Sequence, residues 1–213
     1  CIGCFRIACR FVRQATGSRG RGDVVQHPFG PCGVFYKTDR FELLKNGDFG
    51  LSETPDSIGK KGWDAACERI VTWAVLKDKV SGREVAAFNT HFDHMGKVAR
   101  SESAKLILEK IKQMAGDLPV IVTGDFNGTM DSEPVVVLTE GRMKNTCVMA
   151  KVAYGPMWSF HDFGRIPLER RKLIDFIFVN GPVEAERYRT IGDKPDNGYL
   201  SDHAPVLATL KIL

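Results

Sequence analysis

Four short stretches carry side chains suited to work on a charged group. "NTHFDHMG", residues 89–96, holds Asn89, His91, Asp93 and His94 at the end of an apolar run. "GDFN" places Asp125 and Asn127 directly after "VIVT", and "SDH" places Asp202 and His203 directly before "APVLATL". Asp175 sits inside "LIDFIFV", between apolar neighbours. A carboxylate beside a strand core is costly unless it is paired, hydrogen-bonded or bound to a metal. Asp, Asn and His converging without cysteine suit a hard divalent cation with oxygen ligands, so Mg²⁺ or Mn²⁺ is expected.

The elements that must position these groups follow from pattern. "VFYK" and "FELLKNGDFGL" read as strands, and "SETPDSIGKKG" as a loop with two turn signals. "RIVTWAVLKD" and "REVAAFNTHF" flank "KVSG", which predicts an antiparallel hairpin. Over 97–115, Ala104, Leu108, Ile111 and Ala115 form one stripe, widened by Ile107 and Met114; Lys105, Glu109, Lys110 and Lys112 lie off it. That is an amphipathic helix stopped by Gly116. "PVIVTGDFN" suits a strand buried on both faces, and Asp131-Ser132-Glu133-Pro134 opens a short helix. "LIDFIFVN", "PVEAERYRTIG" and "APVLATLKIL" complete a strand-rich second half. Strands interspersed with helices predict a mixed sheet in an α/β or α+β layered domain.

The totals set bounds. The chain has 213 residues, 43% of them hydrophobic and 26% charged, as in an ordinary globular protein with one core. No apolar run is long enough to span a membrane. The +4 net charge is local: residues 1–32 carry five arginines and one acidic residue, and the rest is balanced. A neutral body argues against tight binding of duplex nucleic acid. Four of the six cysteines, Cys1, Cys4, Cys9 and Cys32, share that first stretch, but no second pair has zinc-ribbon spacing. Arg6, Arg10 and Arg13 interrupt any signal-peptide core, and no Met opens the chain, so the compartment stays open.

The ordered set "NTH", "GDFN", "IDFIFV" and "SDH" resembles the endonuclease/exonuclease/phosphatase superfamily of metal-dependent phosphoesterases, over residues 33–213. "LSETPDSIGKKGWDAACERIVTWA" is similar to a bacterial branch of the same group. The resemblance implies a four-layer sandwich, two mixed sheets face to face with helices outside. It implies that Asp125 orients the attacking water, that Asn127 hydrogen-bonds that water and phosphate oxygens, and that His203 donates to the phosphate. Asp175 would hold the His203 ring, Asp202 would sit by the metal with Asp125, and His91 would be a second phosphate donor. Asn89, Arg69 and His161 would line the substrate, a phosphate ester of nucleic acid or of a small molecule, and a monomer is expected.

Two departures from the family pattern stand out. Its early strand bearing an Asn and its "QE" strand end, which supplies the principal metal-binding Glu, are absent, and residues 1–32 hold no Glu. Residues 1–32 are therefore read as an Arg/Cys-rich tail outside the native fold, from a truncated or frame-shifted gene, with the first strands lacking. An inactive remnant is one alternative function. Another is a binuclear zinc hydrolase of the metallo-β-lactamase type, whose His-x-His-x-Asp-His string matches residues 89–94 except at Asn89. Plainer readings also stand beside each residue. Asp125–Asn127 and Asp202–His203 would be polar turns, Asp175 a partner of Arg170 or Arg171, and His94 incidental. His161 would be a packing residue, Arg69 an exposed strand residue, and Trp63, Trp73 and Trp158 core or rim.

Overall fold

The computed structural model describes residues 4–9, 23–25, 32–194, 196 and 198–213. The strands are β1 (Cys4–Cys9), β2 (Asp23–Val25), β3 (Val34–Tyr36), β4 (Phe41–Gly50), β5 (Ile70–Asp78) and β6 (Glu84–His91). They continue as β7 (Val120–Asp125), β8 (Lys144–Asn145), β9 (Val152–Tyr154), β10 (Asp175–Asn180), β11 (Val183–Thr190) and β12 (Val206–Ile212). The helices are α1 (Lys97–Ala115), α2 (Glu133–Glu140) and α3 (Thr146–Met149).

Six strands build the larger sheet, in the order β4-β5-β6-β7-β10-β8, and a second sheet runs β1-β12-β11-β9. Both are mixed. β6 and β7 are parallel in the first, β9 and β11 in the second, and the other pairings are antiparallel. The 78–84 hairpin closes where the Val80 and Ser81 backbone N–H groups both donate to the Asp78 carboxylate. The same carboxylate takes the Arg40 guanidinium.

The α1 crossover makes β6 and β7 parallel neighbours, since a parallel pair needs a long connection. Its buried face carries Ala104, Ile107, Ile111 and Ala115, the expected stripe, and it ends at Gly116 with φ 57°. One continuous core joins this helix to both sheets, with Phe88, Val122, Phe126, Phe176 and Phe178 on the larger and Ala208 and Leu210 on the smaller. The expected pair of mixed sheets packed in a layered α/β sandwich is present.

Two strands precede Gly33. β1 runs antiparallel to β12 at the edge of the smaller sheet, and β2 pairs with β3. Phe5 and Ile7 alternate with Arg6 in β1, a period that suits a strand. The possible zinc ligand Cys1 lies outside the described residues, as do the side chains of Cys4 and Cys9. No described helix is long and apolar enough to cross a membrane.

Candidate active site

The site is assembled at one end of three neighbouring strands. His91 ends β6, Asp125 ends β7 and Asp175 begins β10, and the register sets His91 opposite Asp125 and Asp125 opposite Asp175. Cross-strand partners share a face of the sheet, so three polar side chains are placed in one row by backbone pairing alone. Gly124 makes the row possible. A Cβ there would stand 2.3 Å from the Thr90 carbonyl oxygen of the adjacent strand.

Beyond the row, "GDFN" turns sharply. Asn127 takes a left-handed φ of 46°, a conformation its short amide side chain tolerates. Its backbone N–H donates to Asp125 Oδ1 at 2.8 Å. Phe126 between them is fully buried and meets Phe92 and Phe178 edge-on, which turns the two polar neighbours the other way. The Asn127 amide then donates to the Phe92 carbonyl at 2.8 Å and lies 3.1 Å from His91 Nε2.

His203 arrives from the far end of the chain. Phe160 forms an isolated bridge to it, and the two rings sit 4.9 Å apart. Its Nδ1 lies 2.7 Å from Asp175 Oδ2, and its Nε2 lies 3.7 Å from Asp125 Oδ2. The buried Ser159 hydroxyl fixes Asp175 by accepting the backbone N–H groups of Ile174 and Asp175. Asp175 is thus the partner of the imidazole. Arg171 is spent elsewhere, donating to the Ile166 carbonyl and stacking over Trp158.

Electrostatics separates the roles of these groups. Burial resists a charge on His203, but Asp175, Asp125 and Asp202 outweigh it and push the imidazole up to about 9. Burial and the neighbouring Asp175 charge push the Asp125 carboxyl up to about 7, against the pull of His203, the Asn127 N–H and Arg69. His91 goes the other way. Burial, then the positive charges of Arg69 and His203, hold it down at about 3, so at neutral pH its ring is uncharged.

The residues present fit a divalent cation. Ligand atoms of Asp125, Asp175 and His203 all lie within 4.8 Å of one another. Asp125 Oδ2 also faces His91 Nε2 at 3.3 Å, while the Asn127 amide points at that same nitrogen. An amide N–H donates only to an unprotonated Nε2, which leaves a carboxylate oxygen facing a lone pair. A cation at Asp125 would relieve that contact.

The remaining expected residues fall nearby in supporting places. Arg69 donates to His94 Nδ1 at 3.2 Å and lies 3.6 Å from Asp93, so its charge is held beside the site. Asn89 lies one side-chain row away from His91 along β6. Its amide donates to the Gly33 carbonyl and accepts from the Thr123 hydroxyl, so it ties strands together. His161 is 1% exposed, packed against Tyr199 and Trp158, and its Nδ1 accepts the Gly164 N–H. Burial, then Arg171 and His203, lower its pKa. Its backbone N–H, with that of Asp162, holds the Asp202 carbonyl just before His203. Asp202 is half-buried at the rim, its carboxylate accepting from Ser201.

Sequence reasoning passed over Ser159 and Phe160, and it gave Asp93 a place only in the "NTHFDHMG" cluster and the zinc string. Asp93 is buried and accepts the backbone N–H groups of Cys67, Met95 and Gly96, which hold its carboxyl well below the usual range against the opposing effect of burial. Its place in "HFDHMG", three residues before Gly96, was the available signal.

The profile of the Endonuclease/Exonuclease/phosphatase family matches residues 17–203 of the chain. The chain belongs to this family. Among solved family structures, the endonuclease/exonuclease/phosphatase from Bacteroides vulgatus is 44% identical, covering 85% of this chain and 70% of that one, with a TM-score of 0.82. A mannosyl-6-phosphatase of Bacteroides thetaiotaomicron is 36% identical over 84% of this chain and 70% of its own, with a TM-score of 0.77. Nocturnin of Drosophila melanogaster is 29% identical over 131 residues, which are 60% of this chain and 17% of that protein. The family chain described here spans a third or less of the curated relatives it matches.

Proposed function

We propose that this chain hydrolyses phosphoester bonds with the help of Mg²⁺ or Mn²⁺. The observation that carries the reading is His203 poised between two carboxylates, Nδ1 on Asp175 and Nε2 toward Asp125. Asp125 would hold the cation, with Asp202 at the rim next to His203, and the cation when bound would neutralise charge growing on phosphoryl oxygens. Asp125 also orients the attacking water. The His203 imidazolium donates to a phosphoryl oxygen as negative charge develops there, and Asp175 keeps the ring charged and aimed. Asn127 fixes the Asp125 carboxylate through its backbone N–H and the His91 ring through its amide. His91 serves as an uncharged hydrogen-bonding group, and Arg69 draws the anion in.

The names of relatives span a mannosyl-6-phosphatase and, in Yarrowia lipolytica, a 3′-5′-exoribonuclease subunit of the CCR4-Not complex. A panel of phosphomonoesters and phosphodiesters with Mg²⁺ or Mn²⁺ therefore tests the reading. Turnover by the wild type that Asp125→Ala and His203→Ala both abolish is the expected result. Equal rates in all three proteins would instead support the inactive remnant.

The binuclear zinc reading finds less support. His91 faces Asp125 and Asn127, whereas His94 turns to Arg69 and groups with Cys67 and Asp93. The string 89–94 does not converge on one point.

A further inference from the structure

Lys172 is an exposed cation beside the catalytic imidazole that the reading above does not use. Its place is set by backbone pairing. Phe160 forms antiparallel bridges to His203 on one side and to Lys172 on the other. The backbone N–H groups of Ser159 and Phe160 both donate to the Lys172 carbonyl, at 2.9 and 3.0 Å. Directly opposed residues of antiparallel segments point to the same face, so His203, Phe160 and Lys172 stand abreast with the Phe160 ring in the middle. Two strand spacings put the Lys172 backbone about 10 Å from that of His203.

Two further observations bear on what this lysine does. Its ammonium has no hydrogen-bond or ion-pair partner among the described residues, while its neighbour Arg171 is fully engaged with Ile166, Trp158 and Tyr199. Its charge also reaches Asp131, in the loop that follows Asn127. Lys172 is thus set across the Phe160 segment from His203, with its charge felt at Asp131 in the loop after Asn127.

We propose that Phe160 and Lys172 form a second subsite, in which the ring supports the group esterified to the scissile phosphate and the ammonium binds a second phosphate of the same substrate. The substrate class is then a phosphoester carrying a further phosphate within reach of the flexible four-carbon Lys172 side chain. A hexose bisphosphate and a phosphorylated dinucleotide both have that chemistry. The inference rests on the phosphoesterase reading for the identity of the first subsite.

Calorimetric titration in EDTA, where nothing is turned over, tests it with three probes: orthophosphate, hexose 1,6-bisphosphate and 5′-phosphorylated thymidine dinucleotide. At least one doubly phosphorylated probe is expected to bind wild type about tenfold tighter than orthophosphate, as one charge-assisted contact allows. Lys172→Ala should erase that advantage without changing orthophosphate binding, and Lys172→Arg should keep it. The probe whose advantage is lost identifies the source of the second phosphate. A Lys172→Ala protein that keeps the advantage for both probes, or that loses affinity for all three alike, overturns the proposal. Hydrolysis is measured separately with Mg²⁺. A wild type that shows the Lys172-dependent advantage yet hydrolyses nothing refutes the phosphoesterase reading and leaves the subsite standing, so the two failures are distinguishable.

Discussion

Asp175 stands directly across from Asp125 in the β10–β7 pairing, and the two carboxylates meet the same imidazole, that of His203. Two acids one strand apart repel each other, and the ring that separates them carries the compensating proton. The arrangement ties the charge of His203 to Asp175, and this can be measured.

If Asp175 maintains the imidazolium, Asp175→Asn should move the alkaline limb of the rate profile. In the wild type His203 is pushed up to about 9, so activity that needs its proton falls as pH rises through that value. Without the Asp175 charge the ring drops toward its ordinary value of 6.5, and the fall should begin near neutrality. With a pKa near 6.5 about a quarter of the rings keep their proton at pH 7, so the rate there should decline about fourfold and drop further as pH rises. An unshifted limb would assign the proton to another group.

Gly124 should resist replacement for a steric reason. A Cβ only 2.3 Å from the Thr90 carbonyl would force β6 and β7 apart at the row that holds His91 and Asp125. Gly124→Ala is expected to cost about 2–3 kcal/mol by overpacking and to lower activity together with stability. Urea denaturation reads the first quantity, and a variant as stable as the wild type would contradict the close approach.

The hairpin at Asp78 offers a prediction remote from the site. Burial would raise this carboxyl, but hydrogen bonds from Arg40, Ser81 and Val80 outweigh it and hold it at about 2, below its ordinary 3.8. A depressed folded pKa stabilises the native state above the unfolded value, and that contribution is lost as pH falls from about 4 toward 2. Asp78→Asn should flatten the acid side of the stability profile over that window. It should also cost about 1–2 kcal/mol at neutral pH, because an amide at this buried position cannot accept all the hydrogen bonds that the carboxylate takes.

Metal dependence is open to direct measurement. Protein stripped with EDTA should be restored by Mg²⁺ or Mn²⁺, with at least a tenfold gain, because ligand atoms of Asp125, Asp175 and His203 lie within 4.8 Å of one another. Elemental analysis showing two zinc ions per chain would instead favour the binuclear hydrolase.

Some of this was legible in the amino-acid order and some was not. The α1 span and the β6 and β7 strands follow from periodicity, since a helix stripe and an apolar run are local signals. The polar residues at strand ends were visible for the same reason, because charge next to a buried run stands out. β9 was not legible: its three residues, Val152, Ala153 and Tyr154, are all exposed, so no burial pattern marks them, and only pairing with β11 makes them a strand. Ser159 and Phe160 were missed because their work is done on Asp175 and His203, at separations of 16 and 43 positions. The partners of Asn89 were hidden for the same reason. Its type suits a ligand, and Gly33 and Thr123, which hydrogen-bond it, come from distant segments.

The split origin of the site also dictates the sequence of its construction. His91, Asp125 and Asn127 come from one contiguous β6-α1-β7 unit, whereas His203 docks only when the segment leading into β12 closes against Ser159 and Phe160. During synthesis on the ribosome, a nascent chain that has emerged only as far as β11 can already align the first three, yet has no imidazole to set between its acids. Under the proposed reading, hydrolytic competence would then arrive in a single late event.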